Sequence, residues 1–110
     1  MPDDDLVFRI ESLPPDHAHD DDLLAVVRSS RHFFVRQEAA KRIRDAERLK
    51  AFAADRHIGQ ILARQMRRES DIEYLERLLR ESRHLEVRNA ATAQLRLLRE
   101  ALDGNSHRRV

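Results

Sequence analysis

The sequence predicts an all-α protein, a superhelix (solenoid) of about three stacked helical hairpins with one short helix in front. Three observations lead to this fold class. Residues 30–39 return 52 positions later as residues 82–91, with Ser, Arg, His, Val, Arg and Ala at the same offsets. Apolar triads at helical spacing recur every 26 residues, and all three prolines precede residue 16. Self-similarity at a fixed spacing is typical of repeat architectures. Beyond the last proline, no residue obliges a helix to break.

Composition supports a folded helical domain with an uneven charge. Of 110 residues, 37% are charged, and the mean hydropathy is −0.70, but the apolar residues are strongly periodic. Residues 1–22 hold eight acids and one base, a net of −7, whereas residues 23–110 hold twenty bases and twelve acids, a net of +8. This asymmetry suggests a polyanion-binding body or an acidic arm that folds back on it. The nineteen arginines against two lysines equally fit the codon bias of a GC-rich genome.

The first predicted element is a short helix over residues 3–13. Leu6, Ile10 and Leu13 lie at i, i+4 and i+7, and the preceding aspartates suit the positive end of a helix dipole. Its apolar centre also fits a strand. A Pro-Pro pair ends the element, and a linker follows. The predicted divisions are an acidic N-terminal arm with a capping helix and linker (1–21), a helical repeat domain (22–103) and a C-terminal tail (104–110).

Three segments then carry the same apolar triad at i, i+3 and i+4, which is one stripe of an amphipathic helix. The triads are Leu23, Val26, Val27; Leu49, Phe52, Ala53; and Leu75, Leu78, Leu79. They predict the first helix of each hairpin, the A helix, at residues 22–30, 45–54 and 71–81. Asp22, Asp45 and either Ser70 or Asp71 are the expected N-caps, and Ser70 with Glu73 has the spacing of a capping box.

A second stripe at i, i+4 and i+8 follows each triad and predicts the second helix of the hairpin, the B helix. The stripes are Val35, Ala39, Ile43; Ile58, Leu62, Met66; and Val87, Ala91, Leu95. The B helices are expected at 33–44, 57–68 and 85–102, the last with Gly104 as a C-cap. An Arg-His-apolar triplet opens each of them, although the middle stripe is shifted relative to its triplet. Because one hairpin cannot bury its stripe alone, the hairpins are expected to stack.

The B-helix pattern resembles a known family. Residues 35–43, Val-Arg-x-x-Ala-Ala-x-x-Ile, and residues 87–91, Val-Arg-Asn-Ala-Ala, are similar to the B-helix motif of HEAT-like repeats. They most resemble the short bacterial kind, in which an Asp such as Asp45 soon begins the next A helix. The resemblance covers residues 22–102 and implies a right-handed solenoid that serves as a scaffold for protein–protein contacts, whereas a few relatives bind DNA. The 26-residue unit is shorter than the usual unit of about 40 residues, and its middle copy has Ile58-Gly59 in place of Val-Arg.

Several functional classes lack the residues they need. The chain has no cysteine for a thiolate nucleophile or a Cys-based zinc site, and no glycine-rich phosphate loop. Its acidic start differs from a signal peptide, and no run approaches 18 apolar residues, so we expect a cytoplasmic location without membrane contact. His32, His57 and His84 recur just before the B helices, which indicates a turn or capping role rather than a catalytic base. We expect no enzymatic activity and no cofactor.

One segment offers atoms that bind metals. Residues 16–22 read Asp-His-Ala-His-Asp-Asp-Asp, and His-x-His beside aspartate binds zinc or nickel weakly. The segment is a predicted loop with nothing to orient its side chains. A solvated acidic linker, and no metal site, is therefore the expectation.

Arginines define the candidate partner-binding site. One position past each apolar stripe, arginines flank small residues, and this pattern makes a shallow basic groove if the face is exposed. The candidate partner-binding residues are Arg36, Arg44, Arg67, Arg88, Arg96 and Arg99. The alternative is structural: the small residues let helices pack closely, and Arg36 and Arg88 pair with an acid of a neighbouring turn, such as Asp45 or Asp71.

Two functional hypotheses follow. The first is a non-catalytic scaffold that binds an acidic or amphipathic segment of a protein partner on its B-helix face. The alternative is a nucleic-acid or other polyanion binder that uses the same arginines in a concave groove, with the acidic arm as a competitor. Polyanion binding falls steeply as salt rises, whereas a packed protein interface is less sensitive. A monomer and a weak homodimer are both compatible with the sequence, because Leu95, Leu98 and Leu102 leave an apolar end on the array.

Overall fold

Every regular element in residues 2–14 and 17–107, the part of the chain that the computed structural model describes, is helical. This confirms the all-α class and the helical alternative for the first element. The α-helices of these residues are α1 (Asp3–Glu11), α2 (Asp20–Arg28), α3 (Phe33–Arg42), α4 (Arg56–Gln65), α5 (Ile72–Glu81) and α6 (Leu85–His107). Short 3-10 helices cover His17–His19, Ala46–Phe52 and Glu69–Asp71.

The helices form two layers. In the B layer, α3 packs between α1 and α4, and α4 packs between α3 and α6. In the A layer, α2, the Ala46–Phe52 helix and α5 pack on α3, α4 and α6 respectively. The molecule measures 55 × 32 × 19 Å along its principal axes. All nine residues of the three predicted B stripes are buried, so the apolar period correctly identified the side of each B helix that faces the core.

Contacts between α4 and α6 show that these helices run parallel and in register. Near their N-termini, a Cβ atom on Gly59 would lie 2.9 Å from Cγ2 of Val87. Near the C-terminal end of α4, Nε2 of Gln94 donates to the carbonyl oxygen of Met66 at 2.9 Å. Val87 is the first residue of its stripe, and Gly59 is the residue after the first one of its own. Met66 and Gln94 lie eight and seven residues, respectively, after the first residues of the same two stripes. Equivalent positions therefore lie side by side.

The other neighbouring helices of the B layer are also in contact at their N-terminal ends. At the N-termini of α3 and α4, the rings of Phe33 and His57 stack with centroids 4.3 Å apart. At the N-termini of α1 and α3, Nη1 of Arg31 lies 2.9 Å from a carboxylate oxygen of Asp3. The N-terminal ends of α1, α3 and α4 therefore lie together.

Several predicted helix ends are wrong. Helix α2 begins at Asp20, so its N-cap is His19 instead of Asp22. Asp71, one of the two N-caps expected for α5, does take that position. The Ser70–Glu73 capping box does not form, and the Asp71 carboxylate bonds to Arg68 instead. Helix α6 continues past Gly104, since glycine costs a helix only about 1 kcal/mol and no turn is imposed there. Pro15 and Asp16, part of the predicted helix end and linker, lie outside the described residues.

The middle A element is a 3-10 helix instead of the predicted α-helix. Its cap is as expected, because the Asp45 carboxylate accepts the N–H of Glu47 at 3.2 Å. Only 23 residues separate Val35 from Ile58, against 29 from Ile58 to Val87. Seven residues at the 3-10 rise span about 14 Å, close to the roughly 13.5 Å of a nine-residue α-helix. The tighter winding lets a shorter segment cover the same length of α4.

Candidate functional site

Arg36, the first candidate partner-binding arginine, joins three elements of the protein itself. Its Nε donates to the carbonyl oxygen of Val27 at 2.7 Å, and its Nη2 donates to the carboxylate of Asp55 at 2.7 Å. Val27 lies in the last turn of α2, where carbonyl groups lack helical donors. Asp55 is the N-cap of α4, and its side chain accepts the N–H groups of His57 and Ile58. The acid that pairs with Arg36 is therefore neither Asp45 nor Asp71.

These bonds set the acidity of Asp55. Burial acts to raise the pKa of its carboxyl group, but the hydrogen bonds from the Ile58 N–H and from the Arg36 guanidinium outweigh burial. The pKa of Asp55 consequently lies below its ordinary value. The carboxylate is a charged structural link between α3 and α4.

Arg88 repeats one of these contacts in the last hairpin. Its Nη1 donates to the carbonyl oxygen of Ser82, the C-cap of α5, at 2.9 Å. The middle hairpin has Gly59 at this position, and a Cβ atom there would lie 3.1 Å from the carbonyl oxygen of Ala53, which follows the A element. The Val-Arg arginines thus bond to the C-terminal end of their own A helix, and in the middle hairpin a glycine stands where a Cβ atom would crowd the A element.

The basic groove expected along this stripe is not continuous. Ala40 and Ala63, its small residues in α3 and α4, are fully buried between helices. Thr92, the equivalent residue in α6, is exposed and donates to its own helix at Arg88 O. Close packing therefore explains the two alanines.

The remaining candidate arginines have different surroundings. Arg44, Arg67 and Arg96 are exposed, and each lies nine residues after the first residue of its stripe. Within the described residues, no hydrogen bond or ion pair forms to these three guanidinium groups. Arg99 is also exposed, but its Nη2 bonds to Glu76 at 2.9 Å. We call Arg44, Arg67 and Arg96 the arginine row.

Arg44 and Arg67 line one cavity of about 250 Å³ between successive B-to-A turns. The carboxylates of this cavity are engaged. Arg68 donates to the buried Asp71 through its backbone N–H at 3.0 Å and its Nη2 at 3.1 Å, and the same Nη2 lies 2.6 Å from Glu47. Burial opposes the shift at Asp71, but Arg68 holds its pKa below the ordinary value; a hydrogen bond from Lys50 lowers the pKa of Glu47.

A buried carboxylate holds the turn that carries Arg44. Asp20 is 1% exposed, and it accepts the backbone N–H groups of Arg44 at 2.9 Å and Asp45 at 3.1 Å. The sequence placed Asp20 in a solvated linker, which is wrong. Its neighbours in the same acidic run, Asp21 and Asp22, are exposed, so residue type alone did not distinguish them.

We call the exposed side of α3, α4 and α6, with the turns that follow α3 and α4, the B face. It also carries polar residues that the sequence analysis missed. Gln37, Gln60 and Asn89 each lie two residues after the first residue of their stripe, and we call them the amide row. Lys41 and Arg64 follow one turn later, and both are exposed. Counting from the start of each apolar stripe would have shown that an amide recurs at the same offset.

The recurring histidines serve the turns. Nδ1 of His32 accepts the N–H of Phe34 at 3.2 Å as the N-cap of α3. Nε2 of His84 lies 3.2 Å from the carbonyl oxygen of Ala54. His57 does not occupy the equivalent place, because it lies inside α4 and Asp55 takes the capping position. Among the described residues, no group of three or more His, Asp or Glu side chains is placed to hold a metal ion.

Comparison with known proteins assigns no family: no family model matches the chain, and neither a curated protein nor a solved structure does. No helix in the described ranges is both long enough and apolar enough to cross a bilayer.

Proposed function

We propose that this chain is a non-catalytic protein-interaction module of the HEAT-like kind, which binds an acidic or amphipathic segment of a partner protein on its B face. Its three hairpins are α2 with α3, the Ala46–Phe52 helix with α4, and α5 with α6, and α1 is a B-like cap. The side-by-side packing of α1, α3, α4 and α6, with one A element on each of α3, α4 and α6, supports this assignment. So does the repeated bond from a B-helix arginine to the end of its A helix.

The observation that carries the proposal is the arginine row. Its three residues are exposed at the same offset from the start of their apolar stripes, and none has an acidic partner among the described residues. Arg44 and Arg67 stand in the turns after α3 and α4, and Arg96 lies within α6. Arginine binds carboxylates with two parallel hydrogen bonds, which makes it suited to an acidic protein segment. Arg36 and Arg88 serve the fold instead, so we remove them from the proposed binding set, and Arg99 stays at its edge.

The contacts of the histidines support the non-catalytic part of the proposal. A general base needs a hydrogen-bonding path to a substrate or nucleophile. His32 and His84 are engaged with backbone groups of turns, and His57 stacks on Phe33. These contacts favour a structural role for each of the three.

Polyanion binding is the second candidate, and the same unpaired arginines favour it. The acidic arm is a poor competitor for them, because Asp3 pairs with Arg31 at the other end of α3 and Asp21 pairs with Arg48 in the A layer. Salt dependence separates the two functions, since nucleic-acid binding by several arginines weakens steeply with salt.

The test is affinity capture from native lysate with the tagged protein, with and without nuclease and at low and high salt. The variant Arg44→Glu with Arg67→Glu reverses two charges of the arginine row. The matched control, Arg77→Glu with Arg80→Glu, reverses two exposed arginines of α5 that form no hydrogen bond within the described residues. Thermal melting checks that both variants fold.

We expect a stoichiometric protein that survives nuclease, persists at high salt, and is lost only with the Arg44/Arg67 variant. Nucleic acid in the untreated sample, with no protein left after nuclease, would establish the second candidate. Equal capture by both variants would show that the B face is not the binding surface.

A further inference from the structure

We propose that the B face binds an acidic peptide in the polyproline II conformation, which lies across α3, α4 and α6 and presents a carboxylate at every third residue. The inference rests on the proposed function and names the partner chemistry for the same face. It is carried by two rows of side chains, the amide row and the arginine row.

The amide row has the chemistry to bind a peptide backbone. Each amide side chain carries both an N–H donor and a carbonyl acceptor, the same pair that a peptide unit offers. Gln37 and Asn89 form no side-chain hydrogen bond within the described residues. Gln60 donates to the carbonyl oxygen of Arg56 at 3.2 Å, and its own carbonyl oxygen has no donor. The row therefore retains hydrogen-bonding capacity on all three helices.

The spacing of the rows selects the backbone conformation of the ligand. Adjacent packed helices lie about 8–10 Å apart, and the common sequence offset places one amide on each. A polyproline II helix repeats every three residues, or about 9.3 Å, and has no internal hydrogen bonds, so equivalent backbone groups meet successive amides. A β-strand repeats on one face every two residues, or about 6.6–7 Å, which does not match the helix spacing.

The arginine row then defines which side chains the peptide carries. On α6 it lies seven residues past the amide row, about 10 Å along the helix axis. Arg44 and Arg67 stand in the turns, two residues after the last residues of α3 and α4. A glutamate of the peptide and the Arg96 side chain together span the gap on α6. Arg64 lies between the rows on the central helix and adds a further unpaired positive charge. One carboxylate per helix gives a three-residue period.

The experiment compares two fluorescein-labelled peptides of identical composition by fluorescence anisotropy. One repeats Glu-Pro-Ala four times, and the other repeats Glu-Glu-Pro-Pro-Ala-Ala twice, which removes the period but keeps the charge. We test the wild type, Gln37→Ala with Asn89→Ala, the Arg44/Arg67 variant and the Arg77/Arg80 control. Gln37 and Asn89 make no internal bond, so we expect their replacement to leave the melting temperature unchanged.

We expect the periodic peptide to bind at least about tenfold more tightly than the control peptide. This preference should disappear in the Gln37/Asn89 variant, and the Arg44/Arg67 variant should bind neither peptide. Equal binding of both peptides with loss only in the Arg44/Arg67 variant would overturn the polyproline II inference and leave the proposed function intact. No saturable binding of the periodic peptide would also overturn the inference, and the capture experiment would then decide the proposed function separately.

Discussion

At the scale of single residues, buried charges connect the turns. Asp20 and Asp71 are the buried charged residues among those described, and both bond to the backbone of a B-to-A turn. Asp20 accepts two backbone N–H groups, and Asp71 accepts one. A buried carboxylate is tolerated only when hydrogen bonds replace its lost hydration. These two acids therefore fix the turns that join successive hairpins.

Replacing Asp20 with alanine should lower the free energy of unfolding by about 2–3 kcal/mol, because two backbone N–H groups would lose their only acceptor. The measurement is urea denaturation followed by circular dichroism. Asp22→Ala is the matched control, since Asp22 is exposed in the same helical turn and contributes only through the helix dipole, at less than about 1 kcal/mol. Similar losses in the two variants would contradict the role assigned to Asp20.

The ion pair of Asp55 with Arg36 predicts how stability depends on pH. Because the pKa of Asp55 is lower in the folded protein, its contribution is complete above the unfolded pKa of about 3.9 and is lost as the pH falls through the folded value. Asp55→Asn retains an N-capping side chain but has no charge. We expect this variant to be less stable than wild type at pH 7 and equally stable in strong acid.

Denaturant titrations from neutral to strongly acidic pH test this expectation. Asp4→Asn serves as the control, because Asp4 is exposed and forms no ion pair within the described residues. A stability difference between wild type and Asp55→Asn that does not change with pH would show that the charge of Asp55 is irrelevant.

At the scale of elements, the middle hairpin differs from its neighbours in a coordinated way. Its A element is a seven-residue 3-10 helix, and its B helix has Gly59 where the others have arginine. The glycine has an ordinary helical backbone, so its role is to make room for Val87 and for the carbonyl group of Ala53. The shorter unit and the missing side chain are therefore parts of the same close approach.

Gly59→Ala should destabilise the protein although alanine is the better helix former. The gain in helix propensity is about 1 kcal/mol. The new Cβ would lie 2.9 Å from Val87 Cγ2 and 3.1 Å from Ala53 O, and overpacking a buried site costs about 1–3 kcal/mol. We expect a melting temperature several degrees lower by calorimetry.

A double-mutant cycle with Val87→Ala isolates the cause. Removing the Val87 methyl groups should reduce the cost of Gly59→Ala, because the two sites are in contact. A raised melting temperature for Gly59→Ala alone, or an unchanged cost in the Val87→Ala background, would refute the packing explanation.

At the scale of the whole molecule, the linear order of the B layer makes stability uneven. Helix α4 has neighbours on both sides and buries Ile58, Gly59, Ile61, Leu62 and Ala63. Helix α1 ends the row, packs on α3 and buries only Ile10. Elements with few buried contacts open locally at a lower free energy than the whole domain.

Native-state hydrogen exchange should therefore show amides of α1 exchanging well before those of α4. Ile10→Ala should accelerate exchange in α1 more than in α4, because it removes the buried anchor of α1. If the amides of α1 exchanged only through global unfolding, the end helix would be as firmly bound as the central one.

How much the sequence predicted depends on the range of the interaction. Apolar periodicity identified the B stripes, because burial of one helix face leaves a pattern within a few residues. The partner of Arg36 and the burial of Asp20 depend on side chains 19 and 24 residues away, which local patterns do not record. The arginine row was found among six candidates, but only the structure separated its members from Arg36 and Arg88.

The unequal hairpins of this chain have one more consequence, for how its length can change over evolution. The members of the amide row stand at the same offset on successive packed helices, yet they are 23 and 29 residues apart in the sequence. The difference is absorbed in the A layer, where a segment winds as a 3-10 helix or as an α-helix. Insertions and deletions of about one turn can thus accumulate on the A side without altering the B face, and an alignment that assumes a constant unit length would pair residues that are not equivalent.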